Sequence, residues 1–432
     1  MNDGILSKKI AEMKKIGAHM NAPEWLIEAL ATPKRVSKMQ FRSSVGGKME
    51  TLTAIRVHHR NPHPTGARPY KGGTRFHPGV TEELLTVLAM DMTEKCALAG
   101  LPFGGAKGGS AIDPSACSEI ELRHITEKMT MEMLKENIPH PDIDVPGPDM
   151  GTNATVMYWM YNTVALMNHF RNIPNATAVV TGKPIENDGI PGRENATSNG
   201  LLIQLKEFIR IAKLKFKERP TMAIQGFGNV GGNVALLANE KKFNFKVIAV
   251  SDGKGGIYNP KGLNIPDAKA WYDTHGGFKG YARGGDHITN AELLALKTDI
   301  LVPAAIENQI TGANAHAINA KIVSEGANEA ITPEANEILA ERRIAAIPGI
   351  AANVGGVVVS YLEWRRNRGD RRHSVDLEEE HAWVEMELTK IMHSVIRNVY
   401  AKSKQEKCSL SQAAHMLAME TIQTLLKRKY SV

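Results

Sequence analysis

The spacing of apolar residues predicts helices in the first part of the chain. In residues 80–98, Leu88 and Met92 fall on one stripe, and Thr81 can cap the N-terminus. Lys95 falls on the same stripe, so its ammonium group needs a partner or a cleft. Helices are therefore predicted over residues 80–98, 119–136 and 152–168.

Beyond residue 221, short apolar runs alternate with helical stretches. The apolar runs are typical of β-strands and cover residues 222–225, 245–250, 299–302, 321–323 and 343–347. Helical patterns fall near residues 230–240, 289–297, 311–319 and 333–342. This alternation predicts a doubly wound, mostly parallel sheet, and residues 409–430 predict a closing amphipathic helix.

A glycine-rich turn follows the first of these strands. Gly226, Gly228 and Gly231 match G-x-G-x-x-G between a predicted strand and a predicted helix. The first glycine permits the turn, the second lets the backbone approach a pyrophosphate, and the third allows close helix packing. Asp252 ends the next strand, where a carboxylate can accept hydrogen bonds from an adenosine ribose. The segment predicts a dinucleotide site; the alternative is a plain strand–helix turn.

Composition indicates the class of protein. A chain of 432 residues allows two or three domains, and 42% hydrophobic and 23% charged residues are ordinary for a soluble globular protein. The 3 cysteines are far apart, which indicates a reducing cytosol rather than a disulfide framework. No stretch predicts a transmembrane helix or a signal peptide. We therefore expect a cytoplasmic protein with no membrane partner and no metal site.

The net charge of +7 is modest, and the densest basic run covers residues 364–372. Such a run could hold nucleic acid or phosphate. Acidic residues follow at 378–380, and neither an aromatic ladder nor zinc-ligand spacing accompanies the run. A solvated, salt-bridged surface is the favoured interpretation, and no nucleic-acid partner is predicted.

Three lysines carry the candidate chemistry. Lys71 lies in a predicted glycine-rich turn, Lys95 ends the apolar helix face, and Lys107 lies among glycines. Together they would hold an anionic substrate and lower one another's pKa, so that Lys107 could act as a base near neutral pH. Asp149 follows two prolines in a predicted stiff turn and is a candidate proton relay. From spacing alone, Lys107 could also be an exposed loop lysine and Asp149 a helix N-cap.

A series of motifs extends over most of the chain. The segments are residues 69–78 (PYKGGTRFHP), 102–109 (PFGGAKGG), 144–149 (DVPGPD), 181–184 (TGKP), 225–231 (QGFGNVG), 251–260 (SDGKGGIYNP) and 355–361 (GGVVVSY). In type and order they resemble the signatures of the glutamate/leucine/phenylalanine/valine dehydrogenase family. The resemblance implies an enzyme that reversibly deaminates an L-amino acid and passes a hydride to a nicotinamide cofactor.

The resemblance also implies roles for individual residues. Lys95 resembles the lysine that holds the substrate α-carboxylate. Lys107 resembles the catalytic lysine, which activates the water that attacks the imine. Asp149 resembles the acid that moves protons to and from the amino group.

The residue at position 71 distinguishes members of the family. Lys71 and Ser360 match the pair that binds the distal carboxylate in the glutamate-specific members, which implies conversion of L-glutamate to 2-oxoglutarate and ammonia. Members that take leucine, valine or phenylalanine generally have an apolar residue at this place. Such an enzyme, or a catalytically idle nucleotide-binding paralogue, is the alternative. The implied substrate-binding residues are Lys71, Gly72, Lys95, Val357 and Ser360.

The implied cofactor is NAD or NADP. Asp252 favours NAD, because a carboxylate accepts from a free ribose 2′-hydroxyl and repels a 2′-phosphate, although Lys254 could meet that phosphate. The implied cofactor-binding residues are Thr197, Gly226, Phe227, Gly228, Asn229, Val230, Gly231, Asp252, Asn328 and Asn353.

The family fold implies two α/β domains separated by a cleft that closes around the reactants. Residues 1–190 are expected to form the substrate-binding and oligomerisation domain, and a C-terminal helix at about 404–432 returns to it. Residues 191–403 are expected to form a Rossmann-like NAD(P)-binding domain. Family members that act on glutamate are usually homohexamers, so a homohexamer is expected here.

Some segments depart from the family pattern. The loop at residues 185–193 carries Ile190 and Pro191 in place of a serine-containing sequence, and Ser198 stands where glycine is usual. The residue pairs 329–330 and 348–349 also differ from the usual ones. We expect these differences to affect cofactor binding and domain closure more than substrate chemistry.

Overall fold

The computed structural model describes residues 4–64, 68–370, 374 and 376–430. The chain forms two compact units. The first comprises residues 1–194, 357–385 and 415–432, and the second comprises residues 195–356 and 386–414. This grouping places residues 357–385, which we predicted in the nucleotide-binding domain, in the first unit.

A mixed sheet of five strands forms the centre of the first unit. The strands are Arg35–Val45 (β1), Lys48–His58 (β2), Tyr70–Phe76 (β3), Gly104–Ser110 (β4) and Asp144–Pro148 (β5). The helices of this segment are Ile5–His19 (α1), Glu24–Ala31 (α2), Glu82–Leu98 (α3), Glu119–Lys135 (α4) and Ala154–Arg171 (α5). In the spatial order β1-β2-β4-β3-β5, strand β3 runs parallel to β4 and β5, and the other pairs are antiparallel.

The two faces of this sheet pack against different helices. Alternate residues of a strand point to opposite faces, and Ala54 joins Met129 of α4 in one hydrophobic core. Val57 lies on the other face, where it packs with Leu85 of α3. Lys107 pairs with Val57 across the β2–β4 ladder, so its side chain belongs to the α3 face.

The three helices predicted in this segment are confirmed, with small differences at their ends. Thr81 caps α3 as predicted, because its hydroxyl accepts a hydrogen bond from a first-turn amide. The single buried stripe predicted for α3 is wrong, since most of residues 85–97 are buried. The predicted turn at Lys71 is wrong, because Lys71 lies within strand β3. Asp149 directly follows strand β5 and begins a turn, in which its carbonyl oxygen accepts a hydrogen bond from the Thr152 amide at 3.0 Å.

A sheet of seven strands forms the second unit. Its strands are Thr221–Gln225 (β6), Lys246–Asp252 (β7), Gly255–Tyr258 (β8), Asp286–Ile288 (β9), Ile300–Pro303 (β10), Ile322–Ser324 (β11) and Ala345–Ile347 (β12). Its helices are Ala196–Ile211 (α6), Asn229–Ala238 (α7), Ile265–His275 (α8), Asn290–Ala295 (α9), Pro333–Glu341 (α10) and Gly349–Ala352 (α11). The spatial order is β12-β11-β10-β6-β7-β8-β9; the β7–β8 and β8–β9 pairs are antiparallel, and the other pairs are parallel.

Helices cover both faces of this second sheet. Ala223 of β6 points into a core that includes Leu293 of α9. Its neighbour Ile224 points to the opposite face, where α7 packs so closely that a Cβ on Gly231 would lie 3.2 Å from Ile224 Cγ2. The predicted doubly wound, mostly parallel sheet is therefore confirmed.

Three helices follow this sheet in the chain: Gly355–Asn367 (α12), Leu377–Glu406 (α13) and Leu410–Tyr430 (α14). The closing helix predicted at residues 409–430 is confirmed as α14. The helix predicted at residues 311–319 is wrong, because only a short 3-10 turn forms there. The Asn314 side chain binds neighbouring backbone groups, which competes with helical hydrogen bonds. Among the residues that the structure describes, no helix has the length and apolar composition needed to cross a membrane.

Candidate active site

A buried ion-pair cluster joins strands β3, β4 and β5 in the first unit. Lys107 Nζ lies 2.8 Å from Asp149 Oδ2, and Arg75 Nε donates to the same oxygen at 2.9 Å. The side chains of Lys107 and Arg75 are almost fully buried, whereas that of Asp149 remains 17% exposed. Asp149 is therefore the member of the cluster with access to solvent or to a small molecule.

Burial and neighbouring charges shift the pKa values of this pair in the direction that proton transfer requires. Burial lowers the pKa of Lys107, Asp149 opposes that lowering, and Arg75 adds to it. The crowding that we predicted from Lys71 and Lys95 is not the main cause. Burial alone would raise the pKa of Asp149, but Lys107 and Arg75 together lower it to about 2. At neutral pH Asp149 is therefore a carboxylate, and the ammonium form of Lys107 loses its proton more readily than that of an exposed lysine.

A second cationic group surrounds Lys71 on strand β3. Lys71 is 2% exposed, and burial, followed by Arg193 and Arg56, lowers its pKa to about 7. Arg193 Nε donates a hydrogen bond to Ser360 Oγ at 3.1 Å, and Ser360 is buried in α12. The structure thus brings Lys71, Arg193 and Ser360 into one neighbourhood that suits a carboxylate.

The floor of this neighbourhood is a glycine. A Cβ on Gly147 of β5 would lie 2.8 Å from Lys71 Nζ and 3.3 Å from Thr181 Oγ1, so a side chain at position 147 would displace the ammonium group. Within the described part of the chain, the buried Thr181 Oγ1 has no hydrogen-bond partner. A buried hydroxyl in that state costs free energy unless a bound molecule satisfies it. The observation supports a polar ligand beside Lys71.

The third predicted lysine lies close to the same region. Lys95 is buried in the last turn of α3. Burial raises the pKa of the neighbouring Cys96 thiol to about 12, while the positive charges of Lys71 and Lys95 act against that rise. The two ammonium groups therefore approach one sulfur atom. Helix α3 packs tightly on β4 here, since a Cβ on Gly105 would lie 2.2 Å from the Thr93 nitrogen.

Two further predicted substrate residues are placed by their elements. Gly72 is buried on β3 next to Lys71, where a Cβ would lie 1.6 Å from the Ala106 carbonyl oxygen of β4. No side chain fits at such a distance, so this glycine sets the approach of the two strands. Val357 is half-buried on α12, three residues before Ser360 and hence on the same side of the helix.

The predicted dinucleotide turn has the required backbone geometry. Gly226 has a φ of +91°, which strains any side chain, and a Cβ on Gly231 would lie 1.9 Å from the Gly226 carbonyl oxygen. Gly228 is exposed at the N-cap of α7, where no side chain among the described residues caps the helix or approaches a Cβ within 4 Å. The free N–H groups at this helix start suit a pyrophosphate. The residues present therefore fit a dinucleotide.

Other predicted cofactor residues divide between backbone and side-chain positions. The Phe227 ring is buried and packs edge-to-face on Tyr272 and Phe278, so only its backbone faces the turn. Asn229 and Val230 open helix α7. Thr197 is half-buried in the first turn of α6.

Asp252, which we predicted to contact the adenosine ribose, ends its strand as expected. Asp252 is the last residue of β7, and its Oδ1 accepts a hydrogen bond from the Lys254 backbone at 2.7 Å. The Lys254 ammonium group lies 3.3 Å from the Gly276 carbonyl oxygen.

Elsewhere in this unit, Asn353 Nδ2 donates to Asn328 Oδ1 at 2.9 Å, so these two predicted residues form one pair.

The motifs of both units are those of one known family. Residues 189–429 match the Glutamate/Leucine/Phenylalanine/Valine dehydrogenase family, and residues 33–165 match the Glu/Leu/Phe/Val dehydrogenase dimerisation domain. The chain belongs to this family. The expected α/β fold with a Rossmann-like nucleotide unit is that of the Glu/Leu/Phe/Val dehydrogenases, and it is confirmed.

Similar proteins support the same assignment. A glutamate dehydrogenase of Thermotoga maritima is 38% identical over 422 residues, which cover 97% of each chain. The catabolic NAD-specific glutamate dehydrogenase of Bacillus subtilis is 37% identical over 395 residues, covering 91% of this chain and 88% of its own. The crystal structure of the hetero-hexameric glutamate dehydrogenase of Thermus thermophilus in its Leu-bound form superposes with a TM-score of 0.87 at 29% sequence identity. The match covers 99% of this chain and 98% of the Thermus thermophilus chain.

Two segments that depart from the Glu/Leu/Phe/Val dehydrogenase pattern are accommodated locally. Ser198 is buried in α6, and its hydroxyl donates to the Val230 carbonyl oxygen of α7 at 2.8 Å. Where glycine is usual, this serine ties two helices of the nucleotide unit together. Ile190 is 2% exposed in the loop before Arg193. Both departures lie within three residues of predicted or observed site residues.

Two residues that contact the candidate site residues have no role in the sequence analysis. Arg75 lies in the motif at residues 69–78, and Arg193 ends the departing loop at residues 185–193. Arg75 follows Lys71 by four residues in a strand, so the period of two places both on one face. That spacing could have identified it. Arg193 could not be assigned, because its contact Ser360 is separated from it by 167 residues.

The basic run at residues 364–372 differs from its predicted role as a solvated surface. Trp364 and Arg366 are buried, and Arg366 donates a hydrogen bond to the Gly189 carbonyl oxygen at 3.0 Å. Arg368 forms an ion pair with Asp142. Residues 371 and 372 lie outside the described residues. Most of the described run therefore anchors loops rather than a solvent-facing patch. In the described ranges, no group of three or more His, Cys, Asp or Glu side chains could hold a metal ion.

Proposed function

We propose that this protein is a glutamate dehydrogenase, which reversibly deaminates L-glutamate to 2-oxoglutarate and ammonia with NAD or NADP. The observation that carries the proposal is the buried pair of Lys107 and Asp149 beside a cationic group made by Lys71 and Arg193. The pair supports amine chemistry, and the cationic group supports a second carboxylate on the substrate. Membership of the family and the glutamate dehydrogenases among the relatives support the same activity.

In this proposal Lys107 and Asp149 handle the protons at the α-carbon. The ammonium group of Lys107 is buried and its pKa is lowered, so it can lose a proton and then take one from the attacking water. Asp149 is partly exposed and in contact with Lys107, so it can exchange protons with the substrate amino group. Lys95 is proposed to hold the α-carboxylate. Each role uses a group whose charge the surrounding residues already maintain.

The distal carboxylate of glutamate is proposed to bind Lys71 and Ser360, with Arg193 as a further donor. Without a ligand, the Lys71 pKa of about 7 leaves its side chain only partly protonated near neutral pH. A bound carboxylate would raise that pKa and favour the charged ammonium form. A leucine or phenylalanine side chain would leave these buried polar groups without a partner, which costs free energy. This requirement favours glutamate over the apolar substrates of the family.

The nicotinamide cofactor is proposed to bind the uncapped start of α7 through its pyrophosphate. When bound, it accepts the hydride from the substrate α-carbon. Gly228 would let the backbone approach the pyrophosphate, Gly226 and Gly231 would hold the turn against the helix, and Asp252 would accept from the adenosine ribose. Thr197, Asn328 and Asn353 are proposed as further cofactor contacts. NAD is favoured, in keeping with the NAD-specific relative.

The protein is also proposed to assemble as a homohexamer in the cytoplasm. Large apolar side chains are exposed on two helices near the dimerisation-domain match. Ile120 of α4 lies within the matched residues 33–165, and Leu166 and Phe170 of α5 directly follow them. Such a patch favours an interface. A related glutamate dehydrogenase is hetero-hexameric. Sedimentation of the purified protein, compared with the mass of one 47.2 kDa chain, tests the number of subunits.

The activity is tested by steady-state kinetics with the purified protein. Nicotinamide absorbance is followed with glutamate, norvaline, leucine and phenylalanine as substrates, each with NAD and with NADP. We expect kcat/KM for glutamate to exceed that for each other amino acid by at least about a hundredfold. A preference for leucine or phenylalanine would instead support the apolar-substrate alternative, and absence of turnover with every pair would support the idle paralogue.

A further inference from the structure

A buried arginine crosses behind the lysine-bearing strands. Arg56 of β2 is 1% exposed and is the largest fully buried side chain described in the chain. It pairs with Gly108 across the β2–β4 ladder, and a Cβ on Gly108 would lie 2.7 Å from Arg56 Cδ. Only glycine at position 108 lets the arginine side chain extend over β4 toward β3 and β5.

The guanidinium group fills an interruption in the sheet. Strands β3 and β4 pair at Lys71 with Gly105 and again at Thr74 with Gly108, but the residues between do not pair across this ladder. The carbonyl oxygens of Gly72 and Gly73 in this gap accept from Arg56 Nη1 at 3.3 and 3.1 Å. Lys107 lies on the β4 side of the same gap. Arg56 thus replaces backbone hydrogen bonds at the point where the lysine strand separates from its neighbour.

The far end of the arginine is anchored on strand β5. Arg56 Nε donates to Asp144 Oδ2 at 2.7 Å, and Arg56 Nη2 approaches Asp144 Oδ1 at 2.5 Å. His58 Nε2 lies 2.6 Å from Asp144 Oδ2, and its ring stacks on Tyr70 at 4.3 Å. One buried side chain therefore connects β2, β3 and β5. Lys71 lies on β3 and Asp149 directly follows β5, while Lys107 lies on β4 between β2 and β3.

The arginine lies on the opposite face of the sheet from the reacting groups. Arg56 alternates with Val57, and Lys107 shares the face of Val57. Lys71 shares that face as well, because it pairs with Gly105, two residues before Lys107 on β4. A substrate on the α3 face would not touch Arg56. Any effect of Arg56 on the reaction must act through the strands or through its charge.

The charges that act on the two lysines include this arginine. Burial first lowers the pKa of Lys107; Asp149 raises it, and Arg75 and Arg56 lower it further. For Lys71, burial, Arg193 and Arg56 lower the pKa, while Glu363 and Asp144 raise it. Arg56 is the cation common to both sets of causes. An arginine is suited to this place because it does not lose its proton when buried.

We propose that Arg56 is a positioning residue for the deamination reaction, which spaces β3 and β4 around Lys107 and supplies a fixed positive charge from behind the sheet. The inference rests on the proposed function of Lys107 as a base. It adds a residue that contacts neither substrate nor cofactor and lies outside the active-site face.

Three variants separate the charge of Arg56 from its hydrogen bonds. Arg56→Lys keeps the charge but cannot reach all the acceptors. Arg56→Met removes the charge and leaves the Asp144 carboxylate buried without its main partner, which can prevent folding. Arg56→Met combined with Asp144→Asn removes that carboxylate too and keeps the test possible, and Asp144→Asn alone is the reference for this double variant. Arg42→Met on β1 is the matched control, because the Arg42 side chain is exposed.

The pH profile of kcat/KM for glutamate gives the decisive readout. Reaction requires neutral Lys107, so loss of the cation should place the acidic limb of the double variant about one pH unit above that of Asp144→Asn alone, which lacks the same carboxylate but keeps Arg56. Arg56→Lys should keep the limb at its wild-type position and lower kcat/KM about tenfold through misplaced strands. Equal limbs in the double variant and in Asp144→Asn, or a shift of the Arg56→Lys limb from wild type by about one unit, overturn the proposal. A shift in Arg42→Met also overturns it.

A second measurement keeps this inference separate from the proposed function. Competitive labelling of lysines with acetic anhydride, followed by mass spectrometry of the Lys107 peptide, reports the ionisation of that lysine without turnover. The labelling midpoint should be higher in the double variant than in Asp144→Asn, and Arg56→Lys should keep the wild-type midpoint. If wild type shows no amino-acid dehydrogenase activity, the proposed function fails while the labelling still tests Arg56. A midpoint that does not respond to loss of the arginine overturns the inference even in an active enzyme.

Discussion

Lys107 and Asp149 form a buried ion pair with 2.8 Å between Nζ and Oδ2. Arg75 shares the same carboxylate oxygen at 2.9 Å. Because the carboxylate has two cationic partners, it stays ionised when Lys107 releases its proton. The arrangement allows the lysine to change charge during a reaction without leaving Asp149 alone in a buried site.

Removal of the lysine should therefore abolish turnover but preserve the fold. In Lys107→Ala, Asp149 keeps Arg75 as its partner, so we expect an unchanged circular dichroism spectrum. Loss of the base should reduce kcat for glutamate by at least about a thousandfold. Lys135→Ala serves as a control, because that lysine is exposed on α4. Near-normal turnover in Lys107→Ala would refute the catalytic role.

Selectivity for glutamate should depend on Lys71. In Lys71→Leu the distal carboxylate loses a buried charge-assisted partner, whereas norvaline, which lacks that carboxylate, loses nothing comparable. The ratio of kcat/KM for glutamate to that for norvaline should fall about a hundredfold, or roughly 2.7 kcal/mol. The measurement is the same absorbance assay with both substrates. An unchanged ratio would mean that Lys71 does not contact the substrate side chain.

The cofactor preference should depend on Asp252. The Lys254 ammonium group donates to the Gly276 carbonyl oxygen at 3.3 Å, which favours the Asp252 carboxylate as the group that meets the ribose. We expect wild type to favour NAD and Asp252→Ser to lose most of that preference, as judged by kcat/KM for both cofactors. Asp273→Ser, on the exposed part of α8, is the control. A wild-type preference for NADP of about tenfold, equivalent to about 1.4 kcal/mol, would show that Lys254 prevails.

A second buried pair makes stability depend on pH. His415 of α14 lies 3.1 Å from both oxygens of Glu94 on α3. Burial lowers the pKa of His415, but Glu94 more than compensates and raises it to about 9. Because the folded pKa lies above the unfolded value of about 6.5, this stabilisation is complete below that value and is lost as pH rises through 9.

The substitution His415→Asn tests this linkage. The melting temperature of the variant should lie several degrees below that of wild type at about pH 6, and the gap should narrow at about pH 10. Scanning calorimetry at both values gives the comparison. His287→Asn, at an exposed position on β9, should show no such change. A gap of equal size at both pH values would exclude the ionised histidine as the source of the stabilisation.

Local pattern was sufficient for several features of the second unit. The strands and helices that alternate beyond residue 221 follow from apolar runs and turn residues, and the glycines of residues 226–231 predict their own geometry. Gly226 has a positive φ, and Gly231 leaves no room for a Cβ. These properties depend on neighbours within a few residues, which is why sequence reasoning could reach them. The helix predicted at residues 311–319 failed, because the Asn314 side chain competes for the backbone there.

The glycines of the substrate strands were misread for a related reason. A segment such as residues 69–78 has the composition of a turn when it is considered alone. In the folded chain its backbone groups pair with β4 and β5, and Gly72 and Gly147 make room for a carbonyl oxygen and an ammonium group. The glycines serve close packing between strands. Whether a glycine turns the chain or admits a neighbour is decided by what lies across the sheet.

The sequence by itself determined the residue types of the site and the family to which the chain belongs. Only the tertiary structure decided which charges meet. Arg193 bonds Ser360 across 167 residues, and Arg56 reaches Asp144 across 88 residues. These pairings, and the lowered pKa of Lys71 and Lys107, depend on the strand order and on the depth of burial. Both are properties of the packed sheet, because the electrostatic energy of a charge depends on its distance from other charges and from water.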